Sequence, residues 1–462
     1  MRFLPALWVA LIAGAVDARG STPEPLCPDC NVILVSLDAL QAAHMHSLGY
    51  ARRLTPTIDA MAGRGYLFTQ AFSPAPWTVP ASMSWFTGVY PSRHKVVNKF
   101  VPMPDGRRAL ADLRQLSPGL VTLTETLKAG GYATGGFTGD AGVNGAFGFD
   151  QGFDVYTDSV PPFSGMGQSI DKALTWLSGL AGGKFFLFLH GYDVHGQCMP
   201  AGGYDRRFVD PGYDRRYNGT PEEQRDLRER GLREGRLDLR GEDIAFWRAV
   251  YDEKAARMDA EFARFIGKIE SMGLADNTVF VLVSDHGTEL AEHGRLDHGF
   301  TLYDETIHVP LIIVPPKMRR GKVIRRQVST LGLMPTILDL VGAPAGAAAA
   351  GQMQGRSLAP LLLGKGRSED VLSETDYRLY THKRSIRTAD GWKLIETLET
   401  GRAELYHVRR DPREAVDLAG REELRVDELR RKLALGFQQA GVDIKGQSPS
   451  LGCLPVYADQ CR

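Results

Sequence analysis

Two apolar runs that each end at a carboxylate constrain the fold more than any other feature of the chain. Residues 31–37 run into Asp38, and residues 277–284 run into Asp285 and His286. Continuous apolar runs of this length are typical of parallel strands that are buried on both faces. Ligands bind at the carboxyl edge of open α/β sheets. We therefore expect both strands in one sheet, with their polar side chains grouped at that edge.

Strand and helix patterns alternate through most of the chain. Further strands are predicted at 66–72, 132–137, 184–190 and 308–314, and helices at 56–65, 78–88, 120–130, 170–180 and 243–272. This alternation predicts a doubly wound α/β sheet between layers of helices. The charged stretch 201–242 is interpreted as a long surface excursion with a solvated face. Beyond a Gly/Ala-rich connector at 342–355, short alternating strands and a helix at about 421–439 predict a small antiparallel sheet.

The segment around Thr78 combines a hydroxyl with the start of a helix. Pro74 and Pro76 stiffen the preceding loop, Thr78 is placed as the N-cap, and Gly88 suits the helix end. The unpaired N–H groups of a helix N-terminus attract anions. Thr78 is therefore a candidate nucleophile at an anion site, although the segment taken alone also fits an ordinary capped helix.

Asp38, Asp285 and His286 offer two carboxylates and an imidazole, a ligand set that can hold a divalent cation. Thr78 could add a further oxygen, and a bound cation would make its hydroxyl a better nucleophile. The predicted chemistry is in-line attack of Thr78 on phosphorus or sulfur, giving a covalent ester that water then cleaves. The alternatives are a helix cap or Asx turn at Asp38 and a polar turn at Asp285 and His286.

Residues 1–20 have the pattern of a secretory signal peptide, with a basic residue, an apolar run and then small residues. We therefore expect a secreted or periplasmic protein, the alternative being an N-terminal anchor that stays attached. No other apolar stretch of the sequence is long enough to span a bilayer. The chain has five cysteines, Cys27, Cys30, Cys198, Cys453 and Cys461. In an oxidising compartment the two close pairs could form disulfides or a zinc site, which leaves one free thiol.

The composition limits the classes of function. Lysine plus arginine and aspartate plus glutamate both number 55, so no overall charge points to nucleic acid as a partner. With 462 residues and 43% hydrophobic content, the chain can bury a large core and is expected to form one large domain and a smaller one. Any specificity for anions must therefore come from a local site.

The sequence resembles the sulfatase branch of the alkaline phosphatase superfamily over nearly all of its mature length. The matching motifs are NVILVSLDAL, APWTVPASMSWFTGVYPSRH, FLFLHGYDVHG, NTVFVLVSDHGTELAEHG, HGFTLYDETIHVPLII and DGWKLIETLETGRAELYHVRRDPREAVDLAG. The resemblance implies an alkaline-phosphatase-like α/β sandwich, with a large mixed, mostly parallel sheet between helices and a small C-terminal antiparallel sheet and helix. It implies a catalytic domain at 27–345, a C-terminal subdomain at 346–462, and one divalent metal ion (Ca, Mn, Mg or Zn).

The resemblance also implies roles for individual residues. Those placed as metal ligands are Asp38, Thr78, Asp285 and His286. Thr78 falls on the nucleophile position, and His195 on the histidine that binds substrate or protonates the leaving group. His298 stands where sulfatases often have a substrate-binding lysine; it would bind substrate or ligate a second metal ion.

Five further polar residues lie in or beside these motifs. His190 and Asp193 are placed as structural residues or spare metal ligands. Arg93 and His94 are placed as structural or substrate-facing residues. His293 is expected to support the loop that follows the metal ligands.

The departures from the family pattern change the expected mechanism. Sulfatases carry C-x-P-S-R or S-x-P-S-R where this chain has Thr78-Val-Pro-Ala-Ser82, and the second aspartate often found after the first is Ala39. Threonine has a methyl on Cβ and cannot become formylglycine, so none is expected. A threonine nucleophile is similar to that of metal-dependent phosphodiesterases and phosphoglycerol or phosphoethanolamine transferases of the superfamily.

We therefore expect an exported, metal-dependent hydrolase of phosphate esters, or of sulfate esters, that works through a covalent intermediate. The substrate would be a small molecule or a lipid- or glycan-linked ester, with no nucleic acid and no transmembrane domain after signal removal. One alternative is an arylsulfatase-type sulfuric ester hydrolase. The other is a catalytically silent, anion-binding protein.

Overall fold

The computed structural model describes residues 25–97, 100–102, 108–110, 116–158, 163–196, 199, 203–377 and 381–442. The signal peptide predicted at 1–20 lies outside these residues, as do Cys198, Cys453 and Cys461. Cys27 and Cys30 lie within them and are joined by a disulfide. In the part of the chain so described, none of the helices combines the length and apolar character needed to cross a bilayer.

The secondary structure alternates between strands and helices over most of the chain. The strands are β1 (Asn31–Leu37), β2 (Tyr66–Phe72), β3 (Phe100–Pro102), β4 (Arg108–Leu110), β5 (Ala133–Phe137), β6 (Val155–Thr157), β7 (Phe185–Gly191), β8 (Thr278–Val283), β9 (Glu289–Leu290), β10 (Leu296–Asp297), β11 (His308–Val314), β12 (Lys322–Ile324), β13 (Val328–Ser329), β14 (Val371–Thr375), β15 (Lys383–Arg387), β16 (Trp392–Thr397) and β17 (Arg402–His407). The α-helices are α1 (Pro56–Gly63), α2 (Thr78–Thr87), α3 (Pro91–His94), α4 (Leu123–Ala129), α5 (Met166–Ser178), α6 (Pro221–Glu234), α7 (Gly241–Ser271), α8 (Asp304–Ile307), α9 (Leu333–Val341), α10 (Gly346–Gln352), α11 (Ala359–Leu362) and α12 (Glu423–Gln439).

The central sheet has the strand order β12-β2-β11-β8-β1-β7-β5-β6, with β13 beside β2. Strand β11 runs antiparallel to its neighbours β8 and β2, whereas the other pairs in this sheet are parallel. Parallel neighbours need crossover connections, and helices supply them here. The predicted α/β fold, a large mixed and mostly parallel sheet between helices, is confirmed.

Both faces of the sheet are covered, which explains the continuous apolar run of β1. Val32 and Leu34 belong to the core on one face, where α2, α4 and α9 pack. Ile33 and Val35 belong to the core on the other face, beneath α1, α5 and α7. Because successive side chains of a strand point to opposite faces, a strand in this position must be apolar throughout.

A second sheet follows the main one in the sequence. Its four strands have the order β14-β15-β16-β17 and are all antiparallel, as predicted. Helix α12 covers one face through Leu429, Leu433 and Phe437, which pack with Leu372 and Leu394 of the sheet. The predicted C-terminal helix at about 421–439 is therefore confirmed as α12, two residues shorter at its start.

The stretch 201–242, interpreted from the sequence as a surface excursion, contains the helix α6. The helix begins with a capping box, in which the Thr220 hydroxyl accepts from the Glu223 N–H and the Glu223 carboxylate accepts from the Thr220 N–H. It buries Leu227, Arg228 and Leu232. The buried side of α6 is narrow and includes the aliphatic part of the Arg228 side chain. The sequence of this segment is therefore mostly charged and shows no clear helical period of apolar residues.

Two smaller predictions also need correction. The Gly/Ala-rich connector at 342–355 contains the short helix α10. Helix α2 has Trp77 as its N-cap, so that Thr78 is its first residue and its side chain is not used as a cap. The Thr78 hydroxyl is consequently available for other contacts.

Candidate active site

The register of the sheet brings Asp38 and Asp285 together. In the parallel pair of β1 and β8, Ser36 lies opposite Val283, so the two aspartates occupy matching positions just beyond the paired residues. The Ala39 N–H donates to Asp285 Oδ1 across 3.2 Å. Both carboxylates are fully buried. The two strands therefore end at equivalent positions, as the sequence predicted, and this brings the two side chains together.

The first residue of α2 joins the same group. Thr78 Oγ1 lies 3.2 Å from Asp38 Oδ2, to which it donates, and 3.2 Å from His286 Nε2. The N-terminus of α2 fits closely against the residues after β5, because a Cβ at Gly142 would lie 2.7 Å from Tyr192 Oη and 3.2 Å from Thr78 Cβ. Only glycine allows this close approach. The hydroxyl is thus held by packing on one side and by polar contacts on the other.

The imidazole of His286 has a defined orientation. Its Nδ1 lies 2.6 Å from the Gly287 carbonyl oxygen, which can only accept, so Nδ1 carries the proton and Nε2 presents a lone pair toward Thr78. Burial lowers the pKa of His286 and keeps the ring neutral. A neutral ring with a backbone-fixed tautomer is the form that binds a metal ion.

The two carboxylates lack full compensation within the protein. Asp38 Oδ1 and Asp285 Oδ2 have no hydrogen-bond partner among the described residues, although both are buried. Burial, and then the charge of Asp285, raise the pKa of Asp38. One ligand atom from each of Asp38, Asp285 and His286 lies within 4.8 Å of the others. Buried, unpaired carboxylate oxygens beside an imidazole fit a divalent cation.

His190 contacts this group directly. Its Nε2 lies 3.1 Å from Asp38 Oδ2, and the ring is fully buried. The parallel pairing of β1 with β7 sets Ser36 opposite His190, which places the ring beside Asp38. Asp193 has a different role, since its carboxylate accepts from the Met166 N–H at 2.6 Å at the start of α5. Of the two spare ligands considered from the sequence, His190 therefore touches the site and Asp193 holds a helix.

The rings of His298 and His195 extend the group from His286. The ring centroids of His298 and His286 are 4.1 Å apart, and those of His298 and His195 are 4.8 Å apart. All three rings are buried. The structure therefore gathers the histidines that the sequence assigned to substrate or leaving group into one cluster next to Thr78.

Sequence reasoning missed two charged residues behind this cluster. Asp297 Oδ1 lies 2.8 Å from His298 Nδ1, and Asp297 Oδ2 lies 3.5 Å from Arg228 Nη1 of α6. The adjacency of Asp297 to His298 was a usable signal, but nothing in the sequence linked Arg228 to either. Asp297 has a φ of 85°, a left-handed conformation that is uncommon outside glycine.

The remaining polar candidates have structural contacts. His94 Nε2 lies 3.2 Å from both the Pro80 carbonyl oxygen and Ser84 Oγ, and burial lowers its pKa to about 3, so it braces α2 as a neutral ring. Arg93 is exposed. The predicted supporting role of His293 agrees with its ring stacking on Tyr303, with centroids 3.6 Å apart.

His293 also contacts the Glu305 carboxylate and the Glu414 carbonyl oxygen. Burial opposes protonation of His293, but the Glu305 carboxylate outweighs it and raises the pKa of His293 to about 9. A cavity of about 1210 Å³ opens beside these groups and is lined by His293, Glu305, Arg387 and Glu414. Thr78 and Asp38 do not line this cavity.

A mixed sheet with this acidic, histidine-rich group at its carboxyl edge defines an alkaline-phosphatase-like α/β protein. Residues 30–343 match the sulfatase family, and residues 291–440 match the C-terminal region of N-sulphoglucosamine sulphohydrolase. The chain belongs to the sulfatase family. The expected family and fold are thereby confirmed.

Individual relatives share limited sequence identity with the chain. It is 32% identical to an N-acetylglucosamine-6-O-sulfatase of Bacteroides thetaiotaomicron over 202 residues, which is 40% of this chain and 35% of that protein. It is 23% identical to a delta 4,5-hexuronate-2-O-sulfatase of the same organism over 426 residues, 84% of each chain. The first of these matches thus spans about a third of the curated relative's length.

Solved structures show the same fold. A protein in complex with its substrate D-glucosamine-2-N,6-O-disulfate superposes with a TM-score of 0.72 and 20% identity, over 91% of this chain and 99% of that one. The phosphonate monoester hydrolase of Agrobacterium radiobacter superposes with a TM-score of 0.69 and 19% identity, over 89% and 96% of the two chains. Sequence identity this low shows only that the fold is shared.

Proposed function

We propose that this member of the sulfatase family is an exported, metal-dependent hydrolase of phosphate esters with Thr78 as its nucleophile. The observation that carries the proposal is the position of Thr78 Oγ1, 3.2 Å from both Asp38 Oδ2 and His286 Nε2 at the start of α2. Asp38, Asp285 and His286 would hold a divalent cation (Ca, Mn, Mg or Zn). When bound, such a cation lowers the pKa of a coordinated hydroxyl and stabilises negative charge on the group being transferred.

The remaining steps of the proposed reaction, bond formation, bond cleavage and proton transfer, are assigned to residues of the chain. The Thr78 hydroxyl gives its proton to the Asp38 carboxylate to which it donates, and its oxygen forms a bond to phosphorus while the bond from phosphorus to the leaving oxygen breaks on the opposite side. His195 or His298 donates a ring proton to the leaving oxygen, for which a group that titrates near neutral pH is suited. Water then attacks phosphorus and gives a proton to the histidine that had lost one, while the bond to Thr78 breaks and the threonine oxygen takes its proton back from Asp38.

The threonine favours phosphate over sulfate as the transferred group. A formylglycine hydrate has a second hydroxyl, which lets the enzyme expel sulfate by breaking a carbon–oxygen bond. Threonine has a single hydroxyl, so the covalent ester must be cleaved by a second attack at phosphorus or sulfur. The structural likeness to a phosphonate monoester hydrolase supports phosphorus chemistry on this fold.

A sulfate ester is the second candidate substrate. It is favoured by the names of the curated relatives, among them sulfatases that act on N-acetylglucosamine and on hexuronate. The substrate of either kind would be a small molecule or an ester linked to a lipid or glycan. The pattern at 1–20 supports a secreted or periplasmic location.

The test compares wild type with Thr78→Ala and Thr78→Ser on aryl phosphate monoesters, aryl phosphate diesters and aryl sulfates, each with Mn, Mg, Ca and Zn. Thr78→Ala should lose at least about a thousandfold in kcat on the preferred substrate, while Thr78→Ser retains turnover. Thr87→Ala is the matched control, because Thr87 lies on the same helix and donates to the Met83 carbonyl oxygen at 2.8 Å. That control should keep its activity.

Each outcome of the panel assigns a function. Loss of phosphate ester turnover in Thr78→Ala, with a radiolabelled phosphoryl group trapped on wild-type Thr78, supports the proposal. Turnover of sulfate alone favours a sulfuric ester hydrolase, and no turnover with any metal favours a silent anion-binding protein. Metal analysis should find one cation per chain that is lost in Asp285→Ala; a second cation that is lost in His298→Gln would support His298 as its ligand.

A further inference from the structure

The side chain of His298 is enclosed by groups that fix its orientation. Asp297 Oδ1 lies 2.8 Å from Nδ1 of the ring, and the same oxygen accepts from the His298 backbone N–H at 2.9 Å. The ring also contacts the rings of His286 and His195, with centroids 4.1 Å and 4.8 Å away. With Nδ1 turned to the carboxylate, the nitrogen left for the reaction is Nε2.

Arg228 holds Asp297 from the opposite side. The guanidinium Nη1 lies 3.5 Å from Asp297 Oδ2, and both side chains are almost completely buried. A buried carboxylate that faces a cation stays ionised, and the charges of His298 and Arg228 outweigh burial and hold the pKa of Asp297 far below its usual range. Asp297 is therefore a fixed negative charge between a helix and a ring.

The backbone of this turn is also held in an unusual conformation. Asp297 ends the short strand β10, which pairs with β9, and has a φ of 85°. A non-glycine residue in this region costs free energy unless its surroundings impose the conformation. Here α6 packs against β10 and supplies Arg228, so the helix and the turn are tied together.

The same part of the chain supports His195. Lys254 of α7 donates to the His195 carbonyl oxygen at 3.2 Å and to Gln224 Oε1 of α6 at 3.4 Å. Helix α6 thus reaches the two histidines by separate routes, through Gln224 and Lys254 to His195 and through Arg228 and Asp297 to His298.

From this arrangement we infer that Asp297 and Arg228 are positioning residues, which hold the His298 ring in place and direct Nε2 at the group transferred by Thr78. The inference rests on the proposed function. A carboxylate partner orients a metal-ligating histidine, and loss of such a partner typically costs 10- to 100-fold in activity. We expect an effect of that size at His298. Helix α6 is then part of the active site's support and not a solvated surface segment.

The experiment uses Asp297→Asn, with Asp376→Asn as a closely matched control. Asp376 also lies between a histidine and an arginine, 3.0 Å from His382 Nδ1 and 2.8 Å from Arg384 Nη1, but it is in the C-terminal subdomain. Two readouts are taken: kcat and KM on the preferred ester, and the ¹⁵N chemical shifts of the His298 ring nitrogens by NMR, assigned with His298→Gln.

Asp297→Asn should lower kcat/KM by about 10- to 100-fold and change the His298 nitrogen signals, whereas Asp376→Asn should change neither. Arg228→Met should have a smaller effect alone and almost none in the Asp297→Asn background, because both act through one carboxylate. If Asp297→Asn matches Asp376→Asn in kinetics and leaves the His298 signals unchanged, the inference is overturned.

The same assays separate this inference from the proposed function. If Thr78→Ala is inactive and Asp297→Asn is fully active, the positioning role is overturned and the proposed nucleophile stands. Thr78→Ala that stays active overturns the proposed nucleophile. The NMR signals of His298 still report on Asp297 in that case.

Discussion

Removal of bound metal should destabilise the protein more near pH 8 than near pH 5. Burial, and then the charge of Asp285, raise the pKa of Asp38 in the fold above its value in the unfolded chain. The contribution of Asp38 to the stability of the metal-free fold is therefore largest at low pH and is lost as the pH rises through that folded-state pKa. Each unit of difference between the two pKa values corresponds to about 1.4 kcal/mol. A bound cation neutralises the two carboxylates and removes this loss.

The size of the effect follows from mass action and from the length of the chain. A cation present at about 100 times its Kd stabilises the fold by about 2.7 kcal/mol. Unfolding entropy is about 2.1 cal/mol/K per residue, which for 462 residues gives about 1 kcal/mol/K. The expected rise in Tm on adding metal is therefore about 3 °C at the higher pH, and smaller at the lower pH because protons compete for Asp38.

The measurement is Tm with added Mn or with a chelator at both pH values, for wild type and two variants. Asp285→Asn should lose the metal-dependent shift. Asp259→Asn is the control, since buried Asp259 accepts from the Thr57 and Ile58 N–H groups at 2.9 Å each, at the start of α1. This control should lower Tm with and without metal and keep the shift. An equal shift at the two pH values, or a full shift in Asp285→Asn, would refute the reasoning.

Three further predictions concern the packing around the site and the small sheet. Gly142→Ala sets a methyl against Thr78 and should lower both kcat and Tm; unchanged kinetics would show that the two segments can separate. His94 stays neutral in the fold because burial lowers its pKa to about 3, so wild type should lose stability as pH falls below about 6.5. His94→Gln should remove that part of the pH dependence of the free energy of unfolding, measured with denaturant. An unchanged pH dependence in His94→Gln would contradict this. Leu433→Ala should cost about 2–5 kcal/mol in urea unfolding, whereas exposed Leu435→Ala should cost less than about 0.5; equal losses would contradict the packing of α12.

The sheet and half of the candidate site could be predicted because strand period and strand ends are local properties. Asp38 and Asp285 each follow an apolar strand at once, and parallel pairing of β1 with β8 makes their positions equivalent. The approximate position of Thr78 could be predicted because it requires only that a helix starts after a short loop. Its exact place, one residue inside the helix and not at its cap, depends on Trp77 and could not be read from propensity.

The contacts behind the histidines could not be predicted, because they depend on packing between distant segments. Arg228 meets Asp297 across 69 positions of sequence, through a helix whose apolar side is too narrow to show periodicity. His190 was visible at the end of an apolar strand. Its contact with Asp38 required knowing that β7 lies beside β1, which strand patterns alone do not give.

The two departures from the family pattern act together on the charge of the site. The chain has Ala39 where the second aspartate is often found and Ser82 where the motif has arginine, so one negative and one positive group are absent together. Ala39 still contributes through its backbone, which donates to Asp285 and accepts from the Tyr251 hydroxyl at 2.8 Å. With two carboxylates and one divalent cation, the ligand set would be neutral overall.

Among the described residues near the site, the cationic Arg228 faces Asp297 and Lys254 donates to the His195 carbonyl oxygen, which leaves little positive charge for the substrate. A phosphate monoester carries close to two negative charges at neutral pH, whereas a phosphate diester carries one. Two unit charges 4 Å apart interact by about 4 kcal/mol at an effective dielectric constant of 20, so a tenfold preference, about 1.4 kcal/mol, is a modest expectation. We therefore expect kcat/KM for an aryl phosphate diester to exceed that for the monoester with the same leaving group by at least about tenfold. A preference for the monoester would show that further cationic groups reach the Thr78 site.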